Sequence, residues 1–216
     1  MVKGYKVVYQ GGECEIVEKK SRFIAAVRPV ESEEQAVAFI GEIKKKYWDA
    51  SHHCSAFTIG RNHELTRCSD DGEPSGTAGR PMLDVLLRED IHNAAVVVTR
   101  YFGGTLLGTG GLVRAYQKST QEGLAAAAVI VKQQGVMLDI GTDYNGLGKI
   151  QYLLAQRQIA VMDTEYTDRV VIHAMVPAEK KEELAKAVTE GTSGAAQLVW
   201  GKETEFAQLG EQVQLF

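Results

Sequence analysis

A chain of 216 residues, 44% hydrophobic and 24% charged, has ordinary globular composition and enough length for one large domain or two small ones. Its net charge of −4 excludes a molecule held on nucleic acid by bulk electrostatics, and the acidic excess lies wholly after Ile130. The longest apolar run, near residues 124–131, is too short for a bilayer, and the polar first residues do not form a secretory leader, so a soluble, cytoplasmic protein is expected.

Residues 14–28 alternate apolar and polar side chains on either side of a polar cluster at 19–22, the pattern of a β-hairpin, and Pro29 ends its second strand. Ser32 with Gln35 forms a capping box, and Ala36, Ile40, Ile43 and Tyr47 recur at helical spacing, which predicts an amphipathic helix over 32–47. Its last turn carries Lys44, Lys45 and Lys46, the sign that favours a helix carboxyl end. A strand over 53–59 follows, in which alternation separates His53 from His52. His53 reads as a core or edge residue, and His52 as the one able to face a pocket.

Residues 67–80 form a polar loop rich in glycine, and 79–88 turn helical with Met82, Val85 and Leu86 on one face. The continuous apolar run 94–99 has the character of a strand buried on both faces. A second glycine-rich loop reaches to Arg114, and a helix is predicted over 112–128. Beyond a boundary at 132–135 the order becomes strand 135–140, helix 145–156, strands 160–166 and 170–176, helix 178–189, strand 196–200. This β-α-β-β-α-β order is the ferredoxin-like plan, so an α+β chain of two domains, 1–131 and 135–206, is expected. The ending with Glu203, Glu205 and Glu211 reads as a solubilising tail or weak strand. Cys14, Cys54 and Cys68 form no Cys-x-x-Cys pair, and free thiols are expected.

The two loops hold the unusual chemistry. In the first, Asp70, Asp71 and Glu73 could ligate a hard cation or act as a base, yet Asp, Gly, Pro and Ser are also what turns require. Ser75, Gly76 and Thr77 stand where a helix start offers N–H donors to a phosphate, with Arg80 as a bidentate fork. In the second, Gly103, Gly104, Thr105, Gly110 and Gly111 lie between a buried strand and a helix, a common place for a phosphate cradle, although glycines there also permit close packing. Arg100, Tyr101 and Arg114 flank the loop with the cations and the aromatic ring that phosphate contact and base stacking use. No P-loop or dinucleotide fingerprint is present, and no cofactor or resident metal is expected.

The strings over 70–83 and 97–116, with Ser21-Arg-Phe-Ile24 and Ser51-His-His-Cys54, closely resemble the signature of the IMPACT family. With the trailing ferredoxin-like domain, the chain is similar to the bacterial YigZ-like branch. The resemblance implies an amino-terminal α/β sandwich similar to domain IV of elongation factor G, a carboxyl domain similar to its domain V, and contact with RNA on the ribosome. It brings no established catalytic residue. The expected function is therefore a non-enzymatic, RNA- or ribosome-contacting protein that regulates translation. The alternative is an enzyme acting on a phosphate-bearing small molecule in the loops, with His52 among its acid–base groups. A protein partner on the acidic second domain is also open, and no membrane partner is expected.

Overall fold

The protein is described by a computed structural model covering residues 4–210 and 212–216. It divides into two compact units, one of Tyr5–Ile130 and one that holds Val131–Phe216.

In the first unit the strands β1 (Tyr5–Gln10), β2 (Gly12–Glu18) and β3 (Ser21–Pro29) precede helix α1 (Glu33–Lys46). Strands β4 (His52–Ile59) and β5 (Leu65–Ser69), helix α2 (Gly79–Arg88), strands β6 (Ile91–His92) and β7 (Ala94–Tyr101), and helix α3 (Thr109–Ala126) follow. Five strands pair antiparallel in the order β2-β3-β7-β4-β5, while β1 pairs in parallel with β6. The hairpin turn explains its own tightness: Lys19 and Lys20 both have positive φ, as the two-residue turns that match strand twist require.

The apolar run 94–98 is the centre of the sheet, and its residues sort by parity. Ala94, Val96 and Val98 pack under α2 and α3 with Phe23, Cys54, Met82, Leu86 and Tyr116. Ala95 and Val97 pack on the other side with Phe39 and Ile43 of α1. A strand covered on both faces has no polar row to show, which is why its sequence does not alternate. Helix α1 begins as expected, with the Ser32 hydroxyl accepting from the Gln35 N–H, and the Gln35 side chain accepts from the Glu31 N–H. The lysines at its end are paired, Lys44 with Asp71 and Lys46 with Glu13.

The second unit consists of β8 (Ala128–Thr142), α4 (Tyr144–Gln156), β9 (Ala160–Tyr166), β10 (Val170–Pro177), a 3-10 turn (Ala178–Lys180) leading into α5 (Lys181–Gly191), β11 (Gln197–Leu209) and β12 (Gln212–Leu215). Its antiparallel order is β12-β11-β8-β10-β9. Leaving out the added β12, the fourth, first, third and second strands lie side by side, the ferredoxin-like arrangement. Val136, Leu138, Ile140, Ile172, Ala174 and Val176 present one face of this sheet to Ile150 and Leu154 of α4 and to Leu184 and Val188 of α5. Strand β11 runs well past the expected end at Trp200, because a register shift between Trp200 and Glu203 lets it resume pairing with β8. The acidic ending at Glu203 and Glu205 is thus strand, and Glu211 lies outside the described residues. No helix among the described residues is long and apolar enough to cross a membrane. All three cysteines are free thiols.

Candidate functional site: a cleft between two loops

Strand parity starts the site. Continuing the row Ala94, Val96, Val98 brings Arg100 to the sheet face beneath α2 and α3, and the row Ala56, Cys54 brings His52 directly beside it in register. Where the apolar row runs out, a cleft of about 530 Å³ opens, lined among others by His52, Glu73, Arg100, Phe102, Leu106 and Thr109. Both glycine-bearing loops and the start of α3 therefore contribute to one concavity.

At its floor is a buried polar cluster. Arg100 Nη1 donates to Glu73 Oε1 at 2.6 Å, with 6% and 3% of the two side chains exposed, and Nη2 donates to Ser21 Oγ at 3.3 Å. Tyr116 donates its hydroxyl to the same Glu73 oxygen at 2.8 Å, and His52 Nε2 lies 4.0 Å from it. The guanidinium is flanked by the rings of Phe23 and Phe102, with centroids 5.3 and 5.6 Å away. Burial above all, then the neighbouring Cys54 and Glu73, push the Tyr116 hydroxyl far up, so it stays a donor. The Cys54 thiol, 3.0 Å from the Asp70 carbonyl and 3.3 Å from the Tyr116 hydroxyl, is pushed up to about 12, chiefly by burial. It is a protonated packing group and not a nucleophile.

The first loop corrects the expectation that Ser75, Gly76 and Thr77 hold a phosphate at the start of α2. Asp70 already occupies that place: its carboxylate accepts from the N–H groups of Gly76 at 2.8 Å, Ala78 at 3.0 Å and Gly79 at 2.8 Å. Burial alone would raise this carboxyl, but the three donors outweigh it and hold Asp70 below the usual carboxylate range. Thr77 bonds back to the Pro74 carbonyl, and Ser75 is exposed on the loop. Arg80 is paired with Asp84 one turn on at 2.7 Å and does not line the cleft. Asp70, Asp71 and Glu73 do not converge on a cation site either. Asp71 binds Lys44 and the His53 N–H, each at 2.7 Å, while Glu73 faces Arg100. Burial would raise Asp71 too, and those two partners hold it low.

In the second loop, Tyr101 points to the opposite face from Arg100. Its hydroxyl donates to Asp49 at 2.8 Å and the Arg22 guanidinium lies 5.3 Å from its ring, so it is not a stacking platform of the cleft. Gly103 is a packing glycine: a Cβ there would stand 2.0 Å from the Lys20 carbonyl carbon, and its N–H donates to Ser21 Oγ. Gly104 and Gly108 have φ of +78° and +74°. Thr105 and Leu106 are exposed. Helix α3 begins at Thr109, earlier than expected, so Gly110 and Gly111 fall in its first turn.

That turn is open. Gly108 supplies no side-chain cap, no acidic residue stands in the turn, and the first helical bond runs from the Leu112 N–H to the Gly108 carbonyl. The N–H groups before it carry the positive pole of the helix. Arg114 is exposed, reaches back over Gly110 with its Nη1 3.7 Å from where a Cβ there would stand, and has no acidic partner among the described residues. Around this pole stand exposed Phe102 and Leu106, the latter 82% accessible. Tyr116 and Ser21 are the members of the site that composition and spacing did not single out. A tyrosine at helical spacing among apolar residues reads as core, which it is, and only its hydroxyl reaches the cluster.

Comparison with known proteins agrees with this organisation. Residues 19–124 match the family described as Impact N-terminal domain, and 140–195 match one described as Domain of unknown function (DUF1949). The chain is 41% identical over 204 residues to IMPACT family member YvyE of Bacillus subtilis, covering 94% of each. It is 35% identical over 183 residues to IMPACT family member YigZ of Escherichia coli, covering 84% of this chain and 90% of that one. A solved structure described as an hypothetical protein superposes with a TM-score of 0.59 at 32% identity, covering 92% of this chain and 98% of the other. The fold, the loop sequences and these relatives together place the chain in the IMPACT family.

Proposed function

We propose that this protein contacts RNA at the mouth of the cleft and acts on the ribosome, in the cytoplasm, to modulate translation. The observation that carries the reading is the open, acid-free start of α3 beside Arg114, without an acidic partner among the described residues, and the exposed Phe102 and Leu106. Backbone N–H groups and a guanidinium suit a phosphate, and an apolar lip suits an unstacked base. Lys19 and Lys20, exposed on the β2–β3 turn that abuts Gly103, extend the positive rim. The kinship with domains IV and V of elongation factor G that the resemblance implies supplies the ribosomal setting.

The test is retention of a single-stranded oligoribonucleotide and of purified ribosomes over a salt series. Wild type should bind with a steep negative salt dependence, and Arg114→Ala combined with Lys20→Ala should flatten the slope by about two counterions' worth. Phe102→Ala should weaken binding by about 1–3 kcal/mol at every salt concentration. Wild-type binding that is absent, or equal in all variants, would end the proposal.

A second reading, a small phosphate-bearing molecule held in the cleft, is favoured by the cleft's size, which is that of a small-molecule site. Glu73 is already bound by Arg100 and Tyr116, which leaves His52 as the acid–base group that such a reading would turn on.

A further inference from the structure

Away from the cleft, the turn after β4, the turn before β6 and β6 itself bring together His63, Asp90 and His92. Their ligating atoms all lie within 4.8 Å of one another. Asp90 Oδ1 stands 3.0 Å from His92 Nε2 and 3.5 Å from His63 Nε2. A tetrahedral ion with bonds of about 2.0–2.1 Å to nitrogen and oxygen has ligand–ligand edges of about 3.3 Å, and the two observed separations bracket that edge.

The hydrogen bonding of His92 supplies an independent reason for an ion. Its Nδ1 faces the Gly60 carbonyl at 3.3 Å and its Nε2 faces the Asp90 carboxylate, so both nitrogens look at acceptors. A neutral imidazole has one proton and can satisfy one of them. With the proton on Nδ1, a backbone carbonyl fixes the ring as it does for metal-bound histidines, and the Nε2 lone pair is left aimed at an anionic oxygen. An imidazolium would satisfy both, and a cation between Nε2 and the carboxylate would take the place of its second proton. His63 Nδ1, buried, has no partner among the described residues, so that ring, unlike His92, is not anchored through its far nitrogen.

The two turns are held to each other without the three side chains. Gly60 donates its N–H across to Asn93 Oδ1 at 2.8 Å, and its carbonyl accepts from the His63 N–H within the first turn. Non-glycine residues in the left-handed region, His63 at φ +54°, Asp90 at +55° and Asn93 at +52°, fix the directions in which these side chains leave the chain.

We propose that His63, Asp90 and His92 form a site for one divalent transition-metal ion of borderline softness, Zn²⁺ in the first instance. Two imidazoles and a carboxylate are the donor set that such ions take, and Asp90, 66% exposed, leaves the fourth position to solvent. The rings are stacked with centroids 4.0 Å apart and planes 14° from parallel, so binding tilts them until both lone pairs converge. The ion would pin the β4–β5 turn to the α2–β6 turn.

The experiment is calorimetric titration of the full chain with Zn²⁺, with Co²⁺ absorption as a second readout. His63→Gln, Asp90→Asn and, because Cys68 is an exposed thiol, Cys68→Ala are measured alongside. The expected result is one ion per chain in wild type and in Cys68→Ala, weakened at least roughly tenfold in His63→Gln and Asp90→Asn. Cobalt should give a tetrahedral visible band, and Zn²⁺ should raise the melting temperature of wild type by mass action. His63 and Asp90 lie on turns, and unfolding curves without metal check that their variants fold. Absence of binding in wild type, equal affinity in all four proteins, or loss confined to Cys68→Ala would overturn the assignment.

Discussion

Arg100 and Glu73 meet at 2.6 Å with almost no side-chain surface left to water, and Tyr116 donates to the same carboxylate oxygen. Removing one member of such a pair leaves the other charge buried and unmatched. Glu73→Gln should therefore destabilise the protein by about 3–5 kcal/mol. Tyr116→Phe, which removes one charge-assisted hydrogen bond, should cost about 1.5–3 kcal/mol. Urea unfolding followed by circular dichroism measures both as shifts in midpoint at constant slope. A Glu73→Gln protein as stable as wild type would show that the pair is not structural.

Asp70 fills the start of α2, and its carboxylate is held low by three backbone donors. Asp70→Ala should cost about 1–2 kcal/mol at neutral pH, the scale of a lost helix cap. Because the folded carboxyl titrates below its unfolded value, this contribution is complete above about pH 4 and fades as pH falls through the folded value. The difference between wild type and Asp70→Ala should narrow on acidification from pH 5 toward pH 2. Thermal melts across that range decide it, and a gap that widens toward low pH would contradict the assignment.

Two neighbouring glycines should respond differently to alanine. At Gly103 a Cβ would meet the Lys20 backbone at 2.0 Å, so the loop and the β2–β3 turn must separate. At Gly104 nothing lies within 4 Å of a Cβ, and the cost is that of φ +78°, about 1–2 kcal/mol. Gly103→Ala should be the more destabilising and should also weaken RNA retention, since it moves the rim on which Lys20 stands. Equal stability of the two variants would refute the close-packing role.

In the second unit His173 sits across from Asp139 on the adjacent strand at 2.7 Å, with Glu165 at 3.4 Å. The hydrogen bond to Asp139 above all, then the charge of Asp139 and the contact with Glu165, raise its titration above the ordinary histidine value against the opposing effect of burial. The gain in stability is therefore fully present below about pH 6.5 and is lost as pH rises through the folded value. His173→Gln should be less stable than wild type at pH 5.5 and no less stable at pH 8.5. Melting temperatures at those two values test the sign.

How much of this was legible depended on how local the cause was. Helix α2 could be placed at Gly79–Arg88 because its apolar face and its flanking glycine are written in consecutive residues. The ferredoxin-like order was readable because each element carries its own periodicity. Strand β5 was not, since Leu-Thr-Arg-Cys-Ser has one aliphatic side chain and forms through pairing with β4 at the sheet edge. Strand β1 is written in a polar start, although its Val7 and Val8 are buried. The roles of the loop acids were least visible. Asp70 reaches donors six to nine residues ahead, and Glu73 finds Arg100 and Tyr116 only after the sheet has formed. A carboxylate in a glycine loop has the same spelling whether it waits for a cation, caps its own helix or neutralises a distant guanidinium.

The contrast between the two helix starts has a consequence for how tightly anything could be held. One positive pole is already stoppered by a carboxylate from its own loop, so if RNA binds at this rim as proposed, it would find one of these two helix starts open to a phosphate. One berth gives a fleeting grip, and durable attachment would have to come from repetition along the guest or from a second foothold elsewhere on the chain, in the manner of multivalent binding. On the proposed reading the protein would sample many positions briefly and settle where several weak contacts coincide.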